Sequence, residues 1–303
     1  MLKPIALIAA LATVSAAAPR PREAGRPVVL LLHGRGMQGR DTATLRALWR
    51  DALDSGTKSL TPAALIHDDD VRLVWYADVL EPRSGAGCDY AAADPRAKRD
   101  ADENDGLKAV VSLVGNVLDG ISSAASDSDS RSAFESLAAD AAFLSDARKR
   151  CATEARLADA IDRAHTEGRP VILVAHSLGS IVAYDYLSTR RDTGLVQALI
   201  TVGSPLGSSD LRHLLIGGGD SDTVTALVAA KQWINVRNDG DPLATDVPVA
   251  RDVMVKPPAG EPDPHELVGY LREPETARLV VGAWCRAFVA QAPADCSAIS
   301  RQQ

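Results

Sequence analysis

Two stretches, Pro27-Val28-Val29-Leu30-Leu31-Leu32 and Val171-Ile172-Leu173-Val174-Ala175, are apolar at every position. A strand with one wet face alternates apolar and polar residues, whereas a strand that is apolar throughout must be covered on both sides. Helices supply that cover, so the two runs predict a mostly parallel sheet between helical layers. The rest of the chain keeps the rhythm. Val71 to Tyr76, Val196 to Val202 and Gln232 to Val236 read as further strands. Helices are expected from about Thr42 to Leu53, from Leu178 to about Thr189, and from Arg278 to Ala290.

Residues 82–166 interrupt that alternation. The segment opens polar and rich in Gly, Pro and Asp, then turns helical. Leu107, Val110, Val111, Val114, Val117, Leu118 and Ile121 recur at helical spacing. Phe134, Leu137, Ala141 and Leu144 form a second stripe, and a third helix is expected from Ala147 to Ala164. Packing against the sheet is the simpler use of these faces. The alternative is a cap that makes transient contact with a membrane or lipid surface.

The first residues carry one charge, Lys3, then a short apolar core and the small residues Ser15-Ala16-Ala17. This is the pattern of a secretory signal peptide over 1–17, too short in its apolar part to span a bilayer. A secreted or periplasmic domain over 18–303 follows as the expectation. Its charge balance is acidic: the full chain stands at −7, and loss of Lys3 makes it −8. Nucleic-acid partners, which need a basic footprint, are disfavoured. Four cysteines, Cys88, Cys151, Cys285 and Cys296, are an even set suited to an oxidising compartment. Three pairings are possible; Cys88 with Cys151 and Cys285 with Cys296 is the favoured one. None has the close spacing of a zinc site, so no metal is expected.

Two uses compete for the glycines after the first strand. Gly34-Arg35-Gly36-Met37-Gln38-Gly39 spells the G-x-G-x-x-G of a dinucleotide loop. That reading needs an acidic residue at the end of the next strand, about twenty positions on. Asp51 and Asp54 fall within or just beyond the first helix, and the next strand ends near Asp78. The other use is an oxyanion pocket, in which a backbone N–H approaches a reacting carbonyl without hindrance from a Cβ. Arg35, or as a second choice Gly36, would donate there together with Leu178, and His33 would orient the loop.

Leu178 matters because of the residue before it. Ala175-His176-Ser177-Leu178-Gly179 follows an apolar strand and opens a helical pattern, the setting of a nucleophile elbow. The positions two before and two after the serine must be small, and Ala175 exceeds glycine by one methyl. A serine hydroxyl needs a base within hydrogen-bond reach. Of six histidines, His265 lies in a late loop, Glu261-Pro-Asp-Pro-His-Glu-Leu-Val-Gly-Tyr, that can fold over the serine. His33, His67, His165, His176 and His213 have plainer structural or solvent-facing uses. The base in turn needs a carboxylate to fix its tautomer. Asp241, just after the Gln232–Val236 strand, is favoured over Asp239 and Asp246.

These segments resemble an α/β-hydrolase of the lipase/esterase type. Ala175-His176-Ser177-Leu178-Gly179 is similar to the elbow of bacterial lipases with Ala at the first position. Gly203-Ser204-Pro205-Leu206 looks like their Gly-Ser/Thr-Pro turn, and Asp241-Pro242-Leu243 like their acid loop. The resemblance implies a three-layer α/β-hydrolase sandwich with a helical insertion, and hydrolysis of a small-molecule or lipid ester through an acyl-enzyme. It implies Ser177, His265 and Asp241 as the triad, with no cofactor. An amidase, peptidase or thioesterase would use the same triad, and a non-catalytic binding protein could be built on the same fold.

Overall fold

Both all-apolar runs become central strands, and each sends alternate side chains into opposite layers. A computed structural model describes residues 25–58, 60–61, 64–81, 84–88, 143–144, 146–208, 224–256, 260, 262–289 and 292–300. The leader expected at 1–17, the helical stretch at 107–121 and most of the stripe at 134–144 lie outside these residues. Among the described residues one sheet holds six strands. They are β1 (Val28–Leu32), β2 (Val71–Val74), β3 (Val171–His176), β4 (Ala198–Val202), β5 (Trp233–Asn238) and β6 (Arg251–Val255). Their order is β2-β1-β3-β4-β5-β6, and every neighbouring pair is parallel.

The helices are α1 (Thr42–Thr57), α2 (Ala77–Leu80), α3 (Ala147–Thr166), α4 (Leu178–Ser188), α5 (Leu267–Arg272), α6 (Pro274–Arg286) and α7 (Cys296–Ser300). Val28, Leu30, Leu32, Leu173 and Ala175 pack with Leu157 and Ile161 of α3 and Val182 and Leu187 of α4. Their neighbours Val29, Leu31, Ile172 and Val174 belong to the other layer, with Trp49 and Leu53 of α1, Leu271 of α5 and Trp284 of α6. Each such aliphatic side chain contributes about 1.5–3 kcal/mol on burial. The result is the α/β-hydrolase sandwich, with the sheet wholly parallel across the described strands.

Two elements depart from the sequence expectation. β6 reads Arg-Asp-Val-Met-Val and is largely solvated; as an edge strand it needs no apolar run, and its Asp252 pairs with Arg237 of β5 at 2.5 Å. α5 is a six-residue helix where only a loop was expected. α3 lies against the sheet through Leu157, Ile161 and Ala164, so this part of the 82–166 segment is packed scaffold. Cys88 is bonded to Cys151 and Cys285 to Cys296. The second bridge ties α7 to α6.

Parallel strands deliver all their starts to one edge and all their ends to the other. At the starting edge Asp70, before β2, accepts from Arg26 at 2.6 Å and from Arg169 at 2.7 Å. This buried cluster joins the residues that lead into β1, β2 and β3. At the finishing edge the loops after β1, β3 and β5 meet, which is where open α/β sheets bind ligands.

Candidate active site

β3 ends at His176 and α4 begins at Leu178, so Ser177 alone makes the turn. It adopts φ 51° and ψ −123°, and it is the one non-glycine residue with positive φ among the described residues. Such strain persists where the surroundings over-determine it. Ser177 N–H donates to Val202 O at 3.1 Å, and the Ser180 hydroxyl donates to Ser177 O at 2.6 Å. A Cβ at Gly179 would stand 2.5 Å from His33 O and 2.6 Å from Leu32 O. Strand and helix therefore touch at a position only glycine fills. Ala175 is buried among α3-side and α4-side residues, where its methyl is accommodated.

The turn presents the Ser177 hydroxyl to the imidazole of His265. Ser177 Oγ lies 2.9 Å from His265 Nε2, and His265 Nδ1 lies 2.8 Å from Asp241 Oδ2. A carboxylate only accepts, so Nδ1 carries the proton and Nε2 is free to accept from the serine. Asp241 is buried and takes two more donors, Tyr270 Oη at 2.7 Å and Leu243 N–H at 2.9 Å. Burial works against its charged form, but the hydrogen bonds from His265, Tyr270 and Leu243 outweigh it and hold the carboxyl below its usual range. Burial, followed by the adjacent Asp241 charge, pushes the Tyr270 hydroxyl well above its ordinary value, so it stays a donor. Gly203 sits beneath this group: a Cβ there would meet Asp241 Oδ2 at 3.0 Å and His265 Nδ1 at 3.3 Å.

The loop that carries His265 is held at several points. His265 N–H donates to Asp263 Oδ1 at 2.9 Å, Asn238 Nδ2 donates to Pro264 O at 3.1 Å, and His176 Nε2 donates to His265 O at 2.7 Å. Asn238 N–H also donates to Tyr270 Oη at 3.1 Å. One strand end, β5, thus steadies both the His265 loop and Tyr270, the donor to Asp241.

The β1 loop crosses the serine. A Cβ at Gly34 would come within 3.0 Å of Ser177 Cβ. His33 is buried; its Nδ1 donates to Gly34 O at 2.6 Å, and its Nε2 accepts from Tyr76 N–H at 3.2 Å. Both ring nitrogens are committed, and burial lowers its pKa to about 4. A neutral imidazole therefore fixes the Gly34 carbonyl, and Arg35 N–H belongs to the same peptide plane. Leu178 N–H is the first of α4, where no intrahelical acceptor exists for it.

The remaining candidates are elsewhere. Asp239 and Asp246 are exposed, as are His67 and His165, the latter donating to Leu195 O at 2.9 Å. His213 lies outside the described residues. A cavity of about 730 Å³ opens along β2, lined in part by Arg46, Arg72, Arg156, Arg163, Asp68 and Asp159. Neither Ser177, His265 nor Asp241 lines it, nor does any other serine, cysteine or histidine. Tyr270, Asn238 and His176 are supports that the sequence does not single out. Tyr270 stands five residues after His265, the one local hint; the other contacts join residues far apart along the chain.

Residues 150–233 match the model of the lecithin:cholesterol acyltransferase family. The matched stretch runs from α3 to the first residue of β5 and supports placement in the α/β-hydrolase superfamily. It includes Ser177 but neither Asp241 nor His265. No curated protein and no solved structure matches the chain.

Proposed function

We propose that the chain is a serine hydrolase that cleaves carboxylic esters through an acyl-enzyme, with Ser177 as nucleophile, His265 as base and Asp241 as the orienting acid. The observation that carries this reading is the continuous relay from Ser177 Oγ to His265 at 2.9 Å and on to Asp241 at 2.8 Å, mounted on a strained elbow. His265 takes the serine proton as Oγ bonds to the ester carbonyl carbon. The carbonyl oxygen becomes an oxyanion and receives N–H donors from Leu178 and Arg35. His265 then returns the proton to the departing alcohol as the C–O bond breaks. Water repeats the sequence, forming the acid and restoring the hydroxyl. Each oxyanion donor is worth about 3 kcal/mol in such sites.

The similarity to an acyltransferase family favours a lipid ester as acyl donor, and an alcohol can take the place of water in the second step. The two disulfides suit an oxidising, extracytoplasmic setting. The test is a panel of p-nitrophenyl esters of increasing chain length, run on wild type and on Ser177→Ala. Turnover that disappears in the variant supports the reading. Turnover that is unchanged in the variant refutes it.

A further inference from the structure

His176 is an anomaly in its strand. The same face of β3 carries Ile172 and Val174, both packed in the apolar layer with Tyr270 and Leu271. At the end of that row stands an imidazole, 4% exposed. Its Nε2 donates to the main-chain oxygen of His265 at 2.7 Å, and its Nδ1 is buried with no hydrogen-bond partner. Its ring lies 4.8 Å from the His265 ring. An apolar residue would fill the space without an unsatisfied lone pair. What it would lack is the N–H.

We propose that His176 is a positioning residue for the base, acting through the backbone of His265 rather than on substrate. The inference rests on His265 being that base. Its physical content is leverage. The His265 ring must meet Ser177 Oγ on one side and Asp241 Oδ2 on the other, at 2.9 and 2.8 Å. Those two contacts fix the ring only if the Cα that carries it is fixed. Asn238 holds the carbonyl before His265 and His176 holds the carbonyl of His265 itself. The peptide leading into α5 is therefore pinned from β5 and from β3 together. Because a carbonyl only accepts, Nε2 must keep its proton and Nδ1 stays bare. Burial, with His265 adding to it, lowers the His176 pKa to about 3. The ring remains an uncharged donor next to a base that becomes cationic in every turnover.

The test compares His176→Phe, which keeps a planar ring and removes the donor, with His176→Gln, whose amide reaches the carbonyl. With p-nitrophenyl butyrate, Phe should lower kcat by about 10²-fold, and Gln should return it to within about threefold of wild type. KM should stay level in both, since no substrate contact changes. The downfield proton NMR signal of His265 Nδ1–H should persist in wild type and Gln and broaden or vanish in Phe. If Phe does not fold, His176→Asn, whose shorter amide falls short of the carbonyl, carries the same expectation. Full kcat in the Phe variant, or an equal loss in Gln and Phe at unchanged melting temperature, overturns the proposal. The NMR signal needs no substrate: its loss in Phe alongside an inactive wild type would keep the positioning role and discard the esterase reading.

Discussion

Two carboxylates are buried at opposite edges of the same sheet, and their partners differ in kind. Asp70, at the starting edge, is gripped by Arg26 and Arg169. A guanidinium is a permanent cation. Asp241, at the finishing edge, is held by an imidazole, a phenol and a backbone N–H. One of those partners is an imidazole whose far nitrogen lies 2.9 Å from the hydroxyl of a strained serine. A buried carboxylate saturated by permanent charges is a staple. The same group facing an imidazole that reaches a serine hydroxyl is, on the proposed reading, one end of a reaction path.

The comparison breaks most sharply under Asp-to-Asn exchange at the two sites. Asp241→Asn should lower kcat by about 10⁴-fold, the loss seen when this change misorients a triad histidine, with the melting temperature nearly constant. Ester kinetics and calorimetry on one preparation check both halves. Asp70→Asn should do the reverse. Leaving a buried guanidinium short of its counter-charge costs about 3–5 kcal/mol, a fall of roughly 6–15 °C in a chain of this size, while kcat per folded molecule holds.

Smaller effects sharpen the same contrast. His33 and His176 are neutral when folded, with pKa values of about 4 and about 3 against 6.5 ordinarily. The unfolded chain therefore binds protons that the native state refuses. Their stabilising contribution is complete above pH 6.5 and is lost as pH falls toward 4 for His33 and toward 3 for His176, at about 1.4 kcal/mol per unit for each. Thermal melts between pH 7 and 4.5 should show the slope, and His33→Gln should flatten it. Tyr270→Phe removes one donor to a charged group, so kcat should drop about tenfold. Asp246→Asn, on an exposed carboxylate, should change kcat by less than about twofold.

How much of this was legible in the residues follows from where each element sits. β1 and β3 announce themselves because both faces are covered, so every side chain is apolar. β6 is silent for the opposite reason: an edge strand satisfied by Arg251 and Asp252 at the solvent has no apolar signature. Ser177 is marked by its strand–turn–helix setting, and His265 and Asp241 by their place on late loops. Gly179, a position that an elbow requires to be small, is the contact point of strand and helix, with two carbonyls against it. Tyr270, Asn238 and His176 act through hydrogen bonds between segments far apart along the chain, which no local pattern encodes.

The central claim is that one serine, Ser177, is made nucleophilic by the relay beneath it. A fluorophosphonate probe followed by peptide mass mapping tests it most directly. The account predicts a single adduct on the peptide that holds Ser177, absent from Ser177→Ala and much slower to form in Asp241→Asn. An adduct on another residue, such as Ser204, or no adduct on folded wild-type protein, would contradict it.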